Sequence, residues 1–301
     1  MDYLRLVGAE KLAENTGDGA GVRIGVVDSG APPHALFRRT DYASDRALDR
    51  FGHATAVASI LLGGWGIRGL CENATPVFFK ALDDAGNGSA RSVAKGIYGA
   101  IDADVDLINI SLGFVRTETC PKALEKACAA AFEAGIPVIC AAGNDGGPVN
   151  WPAALKTTLS VGASGENGLK TPFSSVGEVD FVAPGTNLSV LCPDGRVKTV
   201  SGTSFSAALV TGLAALLLNE FRFISRTRDD VYALKGALLA RAQDVDAPGY
   251  DINTGYGLIS GKNADPTVCL KNGNGFFDRI VGKIKSMLGF NTKETKNGRI
   301  V

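Results

Sequence analysis

Six stretches of the chain read as strands, several of them apolar without alternation: Val22 to Asp28, Pro76 to Ala81, Asp106 to Leu112, Pro137 to Ala142, Thr158 to Ala163 and Phe181 to Ala183. A strand wetted on one face alternates polar and apolar residues, because successive side chains point to opposite sides. Runs lacking that alternation must be covered on both faces, which predicts a mainly parallel sheet with helices on either side. Helical patterns fill the gaps at Thr55 to Leu62, Ser89 to Ala103, Lys122 to Ala134, Phe205 to Asn219 and Asp229 to Gln243. Ser89 suits an N-cap, and Gly135 the left-handed position after a helix. The alternation predicts one three-layer, doubly wound α/β domain. Ligands of such sheets bind beyond the carboxyl ends of the strands, where Asp28 ends its run.

Hydrophobic content of 45% with 21% charged residues supplies a core and a solvated surface. The formal net charge is zero, which argues against nucleic acid as a partner of the whole chain. Six cysteines show no metal-ligand spacing, and Cys140 falls in a predicted buried strand, so mostly free thiols in a reducing compartment are expected. The glycines Gly17, Gly19 and Gly21 precede the first strand, whereas a dinucleotide fingerprint follows one. No apolar stretch is long enough for a membrane span, and Met1 to Glu10 lacks the pattern of a secretory signal.

Ser204 lies in Gly202-Thr203-Ser204-Phe205-Ser206-Ala207, directly ahead of an apolar helical run. A hydroxyl on that first turn is nucleophilic only with a base and an orienting acid. His53, in His53-Ala54-Thr55-Ala56, is a candidate imidazole, one of two histidines with His34 in Pro32-Pro33-His34. Asp28 supplies the acid, and the order Asp, His, Ser is one of those that build a triad. A fourth segment is Ala141-Ala142-Gly143-Asn144.

These four segments resemble the signature blocks of the subtilisin-like serine proteases, the subtilases, over about Leu6 to Ala264. The resemblance implies a subtilisin-like fold and a serine endopeptidase with Asp28, His53 and Ser204 as its triad. It implies Asn144 as the oxyanion donor, Ser111, Leu112 and Gly113 opposite Gly86 and Gly88 as strands pairing with a polypeptide substrate, and His34 as a structural histidine. Val93 is similar to a pocket residue for a side chain upstream of the cut. Asp145 and Asn150 match the rim and floor of the primary pocket, with a turn role for Asp145 as the alternative. Ala54, Ala56, Ser59 and Ala208 depart from the family blocks by small residues. The segment from His53 to Gly69 is shorter than in many secreted subtilases, so the strong calcium site of that loop is expected to be missing. No cofactor or metal is expected. A catalytically silent, peptide-binding homologue is the alternative function.

Residues 1–267 are expected to form the catalytic domain and 268–301 an extension. Residues 271–301 hold seven basic and two acidic side chains, and 276–290 carry an apolar stripe at helical spacing. That pattern suits a short basic amphipathic helix, docked on its own domain or touching a membrane surface or partner. Only 27 residues precede Asp28. No prodomain is therefore expected, and a cytoplasmic processing protease follows, or a secreted enzyme if a signal and prodomain were removed.

Overall fold

The computed structural model describes residues 1–37, 47–221 and 226–262. In chain order the elements are α1 Tyr3–Leu6, α2 Glu10–Thr16, β1 Arg23–Asp28, α3 His53–Leu62, β2 Thr75–Lys80, α4 Ala90–Asp102, β3 Leu107–Ile110, α5 Lys122–Glu133, β4 Val138–Ala141, β5 Leu159–Ser164 and β6 Phe181–Pro184. They continue with β7 Leu188–Leu191, β8 Val197–Val200, α6 Thr203–Phe221, α7 Arg228–Leu239, β9 Ala242–Gln243 and β10 Leu258–Ile259. Eight strands form one sheet in the order β2-β1-β3-β4-β5-β6-β10-β9, parallel except where β9 joins β10. β7 and β8 make a separate antiparallel hairpin.

The expected cover on both faces is present. Ile24 and Val26 of β1 point into one core cluster with residues of α3 and α6, while Val27 joins a second cluster with residues of α4 and α5. Alternation within β1 therefore assigns faces, not solvent exposure. α6 is buried on all sides from Ala207 to Leu217, which is why that run reads as apolar throughout. Tight spots use glycine: a Cβ on Gly96 of α4 would lie 2.6 Å from Val27 Cγ1, and one on Gly212 of α6 2.7 Å from Leu70 Cβ. Ser89 caps α4 by a reciprocal bond pair with Ser92, and Gly135 takes φ +71° after α5.

Several elements differ from the sequence pattern. α3 starts at His53, because Gly52 at φ +92° lets the helix begin there. The helical pattern to Gln243 stops at Leu239, and Gln243 pairs instead with Leu258. α1 and α2 are too short to announce themselves by periodicity, yet Tyr3 and Leu4 are buried in the α6 core and the Tyr3 hydroxyl donates to the Ser189 carbonyl. Among the described residues no helix is long and apolar enough to cross a membrane. The extension 268–301, with its stripe at 276–290, lies outside the described residues.

The chain turns from β1 to the sheet edge at β2, then returns to add β3 on the other side of β1. This reversal creates a crevice beyond the carboxyl ends of β1 and β3. Asp28 closes one of these strands, and Ser111 follows the other.

Candidate active site

Asp28 is fully buried at the end of β1, and its carbonyl accepts from Ala81 N at 2.7 Å, so the strand pairing with β2 fixes its backbone. His53 opens α3 with its side chain 22% exposed. Its Nδ1 lies 2.8 Å from Asp28 Oδ1 and 2.9 Å from Oδ2. Such a contact places the hydrogen on Nδ1 and leaves Nε2 with a lone pair. Burial by itself pushes the imidazole's proton affinity down. The charge and hydrogen bond of Asp28, with the charge of Asp49, outweigh burial and the opposing Lys198, and the His53 pKa is raised above 6.5.

Ser204 is the second residue of α6 and is 9% exposed. Its Oγ donates to the Ser111 carbonyl at 2.7 Å, and Ser111 Oγ donates back to the Ser204 carbonyl at 2.7 Å. The following residue, Phe205, sets its ring 5.8 Å from that of His53. The structure thus joins Asp28 to His53 directly, while the Ser204 hydroxyl is bonded to the β3 extension. A turn about the Ser204 Cα–Cβ bond redirects that hydrogen.

Asn144 sits in the exposed loop after β4. Its Oδ1 accepts from Thr203 N at 2.8 Å and Thr203 Oγ1 at 2.9 Å, satisfying an N–H that the first turn of α6 leaves open. With the oxygen so occupied, Nδ2 is the side chain's remaining donor, 3.4 Å from where a Cβ on Gly202 would be. Gly143 is required beside it: at φ +121°, its Cβ would lie 2.5 Å from Ser175 Oγ and from Asn150 Nδ2.

The residues matched to substrate strands follow β3 on one side and lie between β2 and α4 on the other. Gly113 is exposed after Ser111 and Leu112, and Phe114 pairs with Trp151. On the other side, Gly88 bridges Leu82 and Gly86 carries the Phe51 ring against it. Val93 is different: it is wholly buried among Ala81, Val27 and Ile97, so it presents no open wall. Asp145 has its Oδ1 tied by Ser175 Oγ at 2.8 Å and Gly147 N at 3.1 Å, the turn role. Asn150 is 8% exposed and its Oδ1 is buried without a hydrogen-bond partner.

Where the calcium loop of secreted subtilases is expected to be absent, the chain turns through Gly63, Gly64, Trp65 and Gly66, and the nearby Glu72 Oε1 accepts from Gly69 N at 3.1 Å. Among the described residues no group of three His, Cys, Asp or Glu side chains is placed to hold a metal ion. Asp49, unremarked in the sequence, is 3% exposed, and its charge acts on the imidazole. Its place four residues before the histidine, ahead of a glycine, was the available signal.

A model of the family described as Subtilase family matches residues 19–257. Minor extracellular protease Epr of Bacillus subtilis is 34% identical over 259 residues, covering 81% of this chain and 38% of that protein. Subtilisin DY of Bacillus licheniformis is 32% identical over 238 residues, covering 74% of this chain and 86% of that protein. The chain thus spans well under half of Epr and most of Subtilisin DY. Among solved structures, the prenylagaramide maturation protease PagA superposes with a TM-score of 0.74 at 27% identity, over 87% of this chain and 98% of that one.

Proposed function

The chain belongs to the subtilase family, and from that premise we propose that it is a serine endopeptidase acting through Asp28, His53 and Ser204. The observation that carries the reading is the two-oxygen contact of Asp28 on His53 Nδ1, beside the helix start that bears Ser204. In this mechanism Asp28 holds the imidazole in the tautomer with a basic Nε2 and stabilises the imidazolium. The Ser204 hydroxyl swings from the Ser111 carbonyl to Nε2, gives up its proton and attacks the peptide carbonyl carbon. Asn144 Nδ2 and the Ser204 backbone N–H donate to the oxygen that becomes negative. The intermediate collapses as the imidazolium passes its proton to the leaving amine, and an acyl-enzyme remains on Ser204 Oγ. Water, deprotonated by His53, then releases the acid and restores the hydroxyl.

Peptide backbones would enter as a strand between Ser111–Gly113 and Gly86–Gly88, with main-chain bonds giving affinity and pockets giving selectivity. We assign the enzyme to processing of a dedicated peptide precursor, a reading supported by the fit to a maturation protease. Five unbridged cysteines among the described residues support a reducing compartment. The Ser204–Ser111 bond is the observation that favours the alternative, a silent peptide binder. A fluorophosphonate probe separates the two. Labelling that disappears in Ser204→Ala, with a kcat loss of about 10⁶-fold as subtilisin suffers without its own nucleophile, supports the enzyme. An unlabelled, folded protein supports the binder. Rapid, indiscriminate digestion of casein would remove the processing assignment.

A further inference from the structure

Asp49 lies in the loop that delivers α3, and water hardly reaches it. A carboxylate so placed costs several kcal/mol unless donors replace its hydration. Donors do: Oδ1 accepts from Ser29 Oγ at 2.8 Å and Gly52 N at 2.6 Å. Oδ2 accepts from Thr55 N at 2.7 Å and Thr55 Oγ1 at 2.6 Å. Gly52 and Thr55 stand on either side of His53, so these bonds hold the helix start from which the imidazole projects.

The remaining bond reaches further than a helix cap needs. Ser29 follows Asp28, and its backbone N–H donates to Asp28 Oδ1 at 2.7 Å. Its Oγ accepts from Ala54 N at 2.9 Å and lies 3.1 Å from Asp28 Oδ1, closer still to Asp49. A hydroxyl has one hydrogen, so with Oγ donating to Asp49 it is the backbone N–H that holds Asp28, and Ser29 links the two carboxylates through two different donors. Through it, the end of β1 and the start of α3 share one hydrogen-bonded junction.

We propose that Asp49 is a positioning residue for the hydrolysis: it clamps the end of β1 to the first turn of α3, so that Asp28 meets the imidazole with both oxygens, and it adds its charge to the field where the imidazolium forms. The proposal rests on the triad reading. His53 faces charges from three sides, Asp28 on β1, Asp49 in the loop before α3 and Lys198 on β8. Removing the Asp49 charge leaves burial and Lys198 opposed by Asp28 alone, and the imidazole then binds its proton less tightly.

The test uses the full chain with Asp49→Asn, which keeps shape and removes charge. The expected result is a kcat loss of about 10- to 100-fold, the cost of a misplaced catalytic group, with KM little changed and the acid limb of kcat/KM moved to lower pH. In a Ser204→Ala background, imidazole NMR reads the same effect without turnover, since His34→Gln identifies the other histidine. There Asp49→Asn should lower the titration of His53. A wild-type kcat, or an unmoved His53 titration, overturns the proposal. If Asp49→Asn does not fold, Ser29→Ala decides, because it cuts the bridge and keeps both charges: lowered kcat supports the clamp and wild-type kcat overturns it. A wild-type chain that neither labels nor cleaves sinks the triad reading, whereas the NMR titration still judges Asp49.

Discussion

His53 binds its proton more tightly in the fold than in an unfolded chain, and the sign of two pH effects follows. Its ion pair with Asp28 stabilises the fold fully below the ordinary value of 6.5 and loses that contribution as pH rises through the folded value. The proposed triad needs the neutral imidazole, so kcat/KM is expected to rise over the interval in which that stability is lost. The acid limb of a kcat/KM profile on a peptide substrate is therefore expected above pH 6.5, and a limb below it would contradict the charge arrangement. Asn144 is a second case where one atom decides. Its Oδ1 is held by Thr203, so Asn144→Ala removes the Nδ2 donor and also a cap on α6. We expect a kcat loss of about 10²–10³, the size found when subtilisin loses its oxyanion asparagine, with KM nearly constant. A proportional rise in KM would mean that the amide binds substrate in the ground state instead.

At the scale of elements, what positions the site is close packing of small residues. α4 lies on β1 and β2 with Gly96 facing Val27 and Phe79, and this helix follows directly from the Gly86–Gly88 segment. Gly96→Val would force its first side-chain carbon to within 2.6 Å of Val27 Cγ1. The predicted cost is about 1–3 kcal/mol of overpacking, seen in thermal melts as about 2–4 °C for each kcal/mol in a chain of this size. An unchanged melting temperature would mean that α4 moves freely from the sheet. α6 is constrained in the same way by Gly212 on Leu70, and it carries Ser204 at its first turn. Helices without such pattern were the ones hidden from sequence reading. α1 and α2 have too few turns to display a period; α2 is buried by packing on α6 across most of the chain, and α1 is held by α2 and by the Tyr3 hydroxyl on the Ser189 carbonyl.

For the whole molecule, the sheet order makes the site: β2 and β3 on opposite sides of β1 leave a crevice where Asp28, His53 and the β3 extension converge. The six strand segments and the helices that alternate with them were legible in the chain, because a strand covered on both faces and a helix with one apolar side each leave a local period. Asp28, His53, Ser204 and Asn144 stood out as candidates because each sits in a short block that resembles a subtilase signature. Hydrogen-bond partners leave no such trace. Ser204 and Ser111 are 93 residues apart, and Thr203 and Asn144 59 apart, so their bonds depend on how distant strands come to rest. The same holds for the turn that occupies Asp145, the core that encloses Val93 and the junction built on Asp49. Local order along the chain determined which elements and which reactive groups exist. Which donor faces which acceptor was decided by packing, because burial makes each polar group seek a partner that only the assembled sheet brings within reach.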